Sequence, residues 1–186
     1  MNETLKIIKN RRSTRVFSSE QIKDVELQAI IEAGLYSPSA VNQQSWHFTA
    51  VQNKELLDRL SNDTKEVGII FAPQELKEML KNEKYHVFYN APTAIIISGD
   101  KKSIMPEIDC AAATENMLIA AESLGIGACW IGMVNFVFMS EKCAAYAKEL
   151  GIPEDFKPYY AIALGYKKRK ILNALPRREN TVNYIK

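Results

Sequence analysis

Residues 107–124 read EIDCAAATENMLIAAESL, and GIGACWIGMV follows at residues 125–134. The first stretch is apolar on nearly every face of a helix, with Glu115, Asn116 and Glu122 as its main interruptions. A helix with this pattern has to be buried all round. Because a chain of 186 residues has a small interior, we expect a second copy of the chain to cover one face of this helix.

The surrounding pattern predicts a mixed helical and stranded fold. Gly125 and Gly127 end the long helix, and ACWIGMV is predicted to be a strand. Gly68 and Pro73 are predicted to lie in a loop. Further helices are predicted at residues 3–10, 20–36 (begun by a Ser18/Gln21 capping box), 54–61, 74–88 and 139–150, and strands at 46–52, 93–98 and 159–166. Because these elements do not alternate strictly, the expected class is a three-layer α+β domain with a short central sheet.

Composition and charge are those of an ordinary soluble protein. Hydrophobic residues make up 47% and charged residues 25% of the chain, and the net charge of +2 does not indicate nucleic-acid binding. We find no apolar run of about 18 residues and no signal-peptide pattern. The prediction is a cytoplasmic protein with no membrane partner, folded as one domain over residues 1–186, with residues 167–186 as an extended arm.

Cysteine and histidine usage argues against a metal site. Cys110, Cys129 and Cys143 are odd in number and lack CxxC spacing, so neither a disulfide framework nor a zinc site is expected. Packing as small hydrophobic residues is the preferred interpretation, and a redox role for Cys129 is the alternative. His47 and His86 are the only histidines, and His47 is expected to be structural.

Basic residues cluster near both ends of the chain. RRSTR at residues 11–15 offers three guanidinium groups and two hydroxyls, which suit a phosphate; a solvated helix end is the alternative. The second cluster contains Lys167, Lys168, Arg169, Lys170, Arg177 and Arg178. If the fold joins the two clusters, they form an anion site, although KKRK at residues 167–170 is also typical of a solvated turn or a nucleic-acid patch.

A polar connection at residues 36–48, YSPSAVNQQSWHF, lies between a helix and a strand. Asn and Gln amides both donate and accept hydrogen bonds, which suits the uracil-like edge of a heterocycle. An Asn-rich turn explained by Pro38 and Asn42 alone is the competing interpretation.

Four segments of the sequence, taken together, resemble the pattern of a known protein family. RRSTRVF, SPSAVNQQSWHF, GIGACWIG and YYAIALGY occur in this order before a basic tail, and together they resemble the nitroreductase family of FMN-dependent oxidoreductases. The resemblance implies a central, mostly antiparallel sheet flanked by helices, in an interlocked homodimer with FMN at the subunit interface. Residues 54–90 are not covered by it.

The resemblance also implies which residues hold FMN. The implied contacts with the phosphate and ribityl chain are made by Arg11, Arg12, Ser13 and Arg15. The residues implied to reach FMN from the partner subunit are Pro38, Ser39, Ala40, Asn42 and Gln44. Those implied to lie along the flavin ring are Trp130, Ile131 and Gly132, and the tail is implied to add Arg177 or Arg178 at the phosphate. Ser45 stands where the family often has Pro, which is expected to loosen the turn.

The implied reaction is ping-pong hydride transfer from NAD(P)H through FMN to nitroaromatic, quinone or related small-molecule acceptors. Arg15 is the expected cation near flavin N1 and O2, and no catalytic side chain is required because the flavin carries the chemistry. Two alternatives remain. One is a non-catalytic flavin-binding storage or sensing protein; the other is a nucleic-acid binder, which lacks the aromatic residues expected of one.

Overall fold

The computed structural model describes residues 1–169 and 173–186, so position 170 of KKRK and positions 170–172 of the predicted arm lie outside the described residues. Within these residues the helices are α1 Glu3–Asn10, α2 Asp24–Leu35, α3 Lys54–Phe71, α4 Gln74–Lys81, α5 Pro106–Ser123, α6 Asn135–Phe138 and α7 Cys143–Glu149, and the strands are β1 Trp46–Val51, β2 Thr93–Asp100, β3 Ile126–Ile131 and β4 Phe156–Tyr166. The strands form one sheet in the order β1-β2-β4-β3, and each neighbouring pair is antiparallel. The predicted α+β class is confirmed.

Strand β2 separates two hydrophobic cores. Its successive side chains point to opposite faces of the sheet: Ala94 and Ile96 pack into a core with α3 and α6, whereas Ile95 and Ile97 pack into a core with α2 and α5. All four side chains are 0% exposed. A strand covered on both faces needs a continuous apolar run, and this explains why TAIIIS was readable and why the domain has three layers.

Helix α5 is covered on one side only within a single chain. Cys110, Met117 and Leu118 belong to the core that α5 shares with α2, but Ile108 is 62% exposed and Glu115 is also exposed. The exposed side is the face for which the sequence predicts a second copy. Among the described residues, no helix is both long and apolar enough to cross a bilayer.

The predicted start of α2 is wrong. The helix begins at Asp24, and Glu26 satisfies the residue before it, with the Lys23 N–H donating to Glu26 Oε2 at 2.9 Å. Ser18 and Gln21 therefore do not cap it. The Gln21 amide instead donates to the Thr93 hydroxyl at the start of β2, so this segment is tied to the sheet.

The predicted loop around Gly68 is also wrong, because α3 continues through it to Phe71. A Cβ on Gly68 would lie 2.8 Å from Leu80 Cδ1 and 3.0 Å from Phe136 Cδ2, so this glycine permits close helix packing. The helix predicted at residues 74–88 ends at Lys81, and the helix predicted at 139–150 is the shorter α7, which follows α6.

The N-terminal segment at residues 13–17 extends the sheet beyond its β3 edge. The Thr14 N–H donates to the Ala128 carbonyl at 2.9 Å, and the Lys168 N–H donates to the Val16 carbonyl at 3.2 Å. The segment is therefore tied both to β3 and to the chain that leaves β4. This pairing brings the two ends of the sequence together, as the basic clusters suggested.

Gly127 permits that pairing, since a Cβ there would lie 2.8 Å from Thr14 Cγ2 and 3.0 Å from the Gly165 carbonyl oxygen. We expect Gly127→Ala to lower the free energy of unfolding by about 1–3 kcal/mol, because overpacking forces backbone or side chains to shift. Chemical denaturation measures this change. Gly132→Ala is the control, since its added Cβ meets nothing within 4 Å; equal stability of both variants would contradict the steric account.

Candidate functional site

A concave surface lies where the two ends of the chain meet beside β3. Ser13, Thr14, Arg15, Val16 and Arg169 line this cavity of about 140 Å³. We call it the basic corner. Its cations and hydroxyls suit an anionic ligand. Two of the predicted FMN residues, Ser13 and Arg15, are present. Arg169 comes from the second basic cluster, which was expected to form an anion site if the fold joined the two clusters.

Arg12 directly precedes Ser13, and its Nε–H is a buried donor without an acceptor among the described residues. Its Nη1 donates to the carbonyls of Lys9 and Arg11, both at 2.7 Å, which satisfies carbonyl groups at the end of α1. Its Nε is buried and has no hydrogen-bond partner within the described part of the chain. A buried donor without an acceptor is costly. The orphaned N–H therefore fits an anionic ligand that supplies the missing acceptor.

Arg11 points in another direction within the isolated chain. Its Nε lies 3.8 Å from Glu115 Oε1 on α5. Both side chains are partly exposed, so this ion pair contributes little to stability. The contact still places the first arginine of RRSTR against the exposed side of α5 rather than in the basic corner.

The Arg15 side chain contacts a tyrosine from residues 54–90, the stretch that the family resemblance does not cover. Its Nε donates to the Tyr89 hydroxyl at 3.3 Å, and its guanidinium carbon lies 5.7 Å from the centre of the Tyr89 ring. The hydrogen bond to Tyr89 raises the pKa of Arg15. Tyr85 supports Tyr89 edge-on, with ring centres 5.8 Å apart, and burial raises the pKa of Tyr85. Sequence reasoning missed both tyrosines, because nothing in their spacing indicated a site.

The polar connection between α2 and β1 is exposed and carries unusual backbone angles. Pro38, Asn42 and Gln44 are exposed, and Ser39 and Ala40 are half-buried. Ser39 Oγ accepts the Gln44 N–H at 2.9 Å, and Gln44 Nε2 donates to Asn42 Oδ1 at 3.3 Å. We call residues 38–45 the amide loop; its side chains do not line the basic corner of the same chain.

The sheet order explains that separation. The amide loop leads into β1, whereas the basic corner lies beside β3, and these two strands are the opposite edges of the sheet. Three strand spacings of about 4.8 Å separate them, which makes about 14 Å across the sheet. One subunit therefore presents the two predicted halves of the flavin site at opposite edges.

The end of β3 holds the third predicted group. Ile131 is buried and Trp130 is half-buried against Tyr160, with ring centres 4.8 Å apart. Gly132 is exposed, with open space where a Cβ would lie. Since the Ile131 side chain packs into the core, its backbone groups are what it can offer to a ligand, and the contact of this segment with the flavin ring stays a prediction.

The predicted tail arginines lie apart from this cavity. Arg177 and Arg178 are exposed, in a stretch at residues 173–186 without helix or strand, and Arg177 Nη1 donates to the Leu175 carbonyl at 2.9 Å. Their proposed contact with a phosphate stays a prediction. Arg169 reaches the basic corner because it directly follows the last pairing of β4.

Cys129 lies near the basic corner but is 3% exposed. Burial raises the pKa of its thiol, although Arg15 acts in the opposite sense. Burial also raises the pKa of Cys110 to about 12. Since the thiolate is the reactive form, both side chains are expected to behave as packed hydrophobic groups.

We therefore expect native protein at pH 7.5 to react rapidly with a disulfide reagent at Cys143 alone, which is half-buried. Ellman's reagent should show one fast and two slow thiols, because inaccessible, protonated thiols attack slowly. Cys143→Ser should remove the fast phase. A fast phase that survives in this variant would show that a buried thiol is activated.

Comparison with known proteins identifies the family to which the chain belongs. The sequence model of the Nitroreductase family matches residues 8–166, so the chain belongs to the Nitroreductase family. A relative from Archaeoglobus fulgidus with the provisional name NADH dehydrogenase/NAD(P)H nitroreductase is 38% identical over 173 residues, which cover 90% of this chain and 87% of that protein.

Solved structures agree with the sequence match. A nitroreductase with bound FMN from Bacteroides fragilis is 38% identical, with a TM-score of 0.91 and 100% of both chains covered. One with bound FMN from Desulfitobacterium hafniense is 30% identical, with the same TM-score and coverage. The donors of the basic corner, together with the orphaned Arg12 Nε, fit the phosphate of such a group.

Proposed function

We propose that this chain is an FMN-dependent oxidoreductase that uses NAD(P)H to reduce small organic acceptors such as nitroaromatics and quinones. The observation that carries the proposal is the basic corner, where Ser13, Arg15 and Arg169 converge. The preceding residue, Arg12, adds a buried Nε that has no hydrogen-bond partner among the described residues. Membership of the family supports the assignment, because its solved members named above contain FMN.

The residues of the basic corner would hold the phosphate of FMN. Arg12 offers its free Nε–H, Ser13 a hydroxyl and Arg169 a guanidinium group at the mouth of the cavity. Guanidinium groups bind phosphate by paired, charge-assisted hydrogen bonds. Arg11 and one of the tail arginines, Arg177 or Arg178, belong to the same proposed set.

Bound FMN supplies the hydride chemistry, while the chain supplies position and electrostatics. Arg15 remains charged at any working pH, and its bond to Tyr89 limits the movement of its guanidinium group. A cation fixed in advance stabilises negative charge that develops during a reaction at no reorganisation cost. Arg15 would therefore stabilise negative charge on bound FMN, and no side chain of this chain would have to act as an acid or base.

The complete site requires a second subunit. The amide loop and the basic corner lie at opposite edges of one sheet, so Pro38, Ser39, Ala40, Asn42 and Gln44 are proposed to meet the flavin of the partner. The single chain also exposes Leu5, Ile8, Val41, Ile104, Met105 and Ile108. Large exposed apolar side chains on neighbouring elements are typical of an interface. A homodimer would cover them.

The function is tested with purified protein that has been saturated with FMN and freed of excess. Under anaerobic conditions NADH or NADPH should bleach the yellow colour, and addition of a quinone or a nitroaromatic should restore it. Colour that persists with both nucleotides would contradict the oxidoreductase and favour a storage or sensing protein. Protein that takes up no flavin would contradict the cofactor itself.

Arg12→Ala should weaken FMN binding by about 10- to 100-fold, because hydrogen bonds to charged groups contribute about 1.5–3 kcal/mol. Fluorescence quenching on titration with FMN measures the dissociation constant. Arg59→Ala is the control, since Arg59 pairs with Glu149 on the surface. Unchanged affinity in Arg12→Ala would remove this residue from the phosphate site.

Tyr89→Phe should shift the midpoint potential of bound FMN to a more negative value. Without the hydroxyl, Arg15 is held less firmly and stabilises the reduced ring less. The expected shift is about 10–30 mV, on the scale where 30 mV equals about 1.4 kcal/mol for two electrons. Tyr184→Phe, at an 83% exposed position, is the control. An unchanged potential would show that Tyr89 does not position Arg15.

A further inference from the structure

We propose that Asp109 is a positioning residue for the flavin site of the partner subunit. Its buried carboxylate holds the amide loop in a strained backbone conformation, and that conformation presents the loop to the neighbouring flavin. This inference rests on the proposed function and adds to it a residue that the resemblance did not indicate.

The carboxylate anchors the loop near both of its ends. Asp109 is 3% exposed and lies in the first turn of α5. Its Oδ1 accepts the Ala40 N–H at 2.9 Å, and its Oδ2 accepts the Ser45 hydroxyl at 2.7 Å. Each oxygen therefore serves a different end of the loop. The amino end of a helix also favours a negative charge.

The segment between the two anchors is strained. Val41, Asn42 and Gln44 have φ angles of 44°, 57° and 49°, in the left-handed region that costs a residue with a side chain roughly 1–2 kcal/mol. The cost is highest for a β-branched residue such as Val41. Val41 is 79% exposed, so packing within its own chain does not compensate for its backbone. Such strain persists only where the surroundings impose it, and here they include the two bonds to Asp109, the bond between Ser39 and Gln44 and the bond from the Ile104 N–H to Gln43 Oε1 at 2.9 Å.

Ser45 makes one of the two hydrogen bonds between the amide loop and Asp109. It stands where a proline was expected and was predicted to loosen the turn. In the structure it is 3% exposed and its hydroxyl donates to Asp109. A hydrogen bond to α5 thus restrains the loop at the position where a proline ring would otherwise restrain it. Because Ile108 beside Asp109 is exposed, the anchor lies next to the surface that the second copy is proposed to cover.

The first test is Asp109→Asn. The amide can accept from one anchor, but its NH₂ then faces the other donor. We expect the dissociation constant for FMN to rise by about 10-fold or more, with a smaller rise in Ser45→Ala. The two effects should not add in the double variant, since both changes release the same anchor. Glu107→Gln is the matched control on the same helix, where the carboxylate accepts from Tyr160.

The second test separates positioning from general destabilisation. Glycine adopts left-handed angles without steric cost, so adding Val41→Gly to Asp109→Asn should recover most of the lost affinity. A defect caused by poor folding would not respond to this change. Val41→Gly alone is the control, since it also removes a side chain that the homodimer is proposed to cover. Circular dichroism confirms folding, and Ser45→Ala keeps the test valid if Asp109→Asn does not fold.

The outcomes distinguish this inference from the function on which it rests. Wild-type protein that binds no FMN would overturn both. Wild-type protein that binds FMN, together with Asp109→Asn and Ser45→Ala variants of equal affinity, would overturn the inference alone. Weak binding in Asp109→Asn that Val41→Gly does not improve would also contradict it.

Discussion

The arrangement depends on a backbone pairing at the edge of the sheet. Residues 13–17 lie beside β3 through the bond from the Thr14 N–H to Ala128, and the chain that leaves β4 pairs with the same segment through Lys168. Hydrogen bonds of the main chain thus fix the positions of guanidinium groups from both ends of the sequence. Arg15 and Arg169 line one cavity as a result, and guanidinium groups that face the same cavity suit an anion.

The same sheet order keeps the polar half of the site at a distance. Since the amide loop enters β1 and the basic corner borders β3, the two lie at opposite edges of the sheet in a single chain. The proposed dimer would bring the two together and would also cover α5, whose sequence is apolar on nearly every face but whose single-chain structure leaves Ile108 exposed. Cofactor binding and association of subunits are then two consequences of one geometry.

Features that depend on local pattern were predictable, and those that depend on tertiary contact were not. The strand at residues 93–98 was readable because burial on both faces demands a continuous apolar run. Gly68 was misread because a glycine needed for close packing resembles one needed for a turn. For the site, the motifs located the arginines and amides, but Tyr89 and Asp109 act through long-range hydrogen bonds that leave no local pattern. Arg169 was visible only as part of a charge run.

The central claim is that each flavin site combines the basic corner of one subunit with the amide loop of the other. It is tested most directly by mixing two defective homodimers, Arg12→Ala and Asn42→Asp, after dissociation and reassociation. Asp tolerates the left-handed backbone at position 42 but replaces an amide with an anion. Random exchange should restore FMN binding at about a quarter of the sites, since each mixed dimer contains one intact site. A mixture that binds no more FMN than its two components would contradict the shared site.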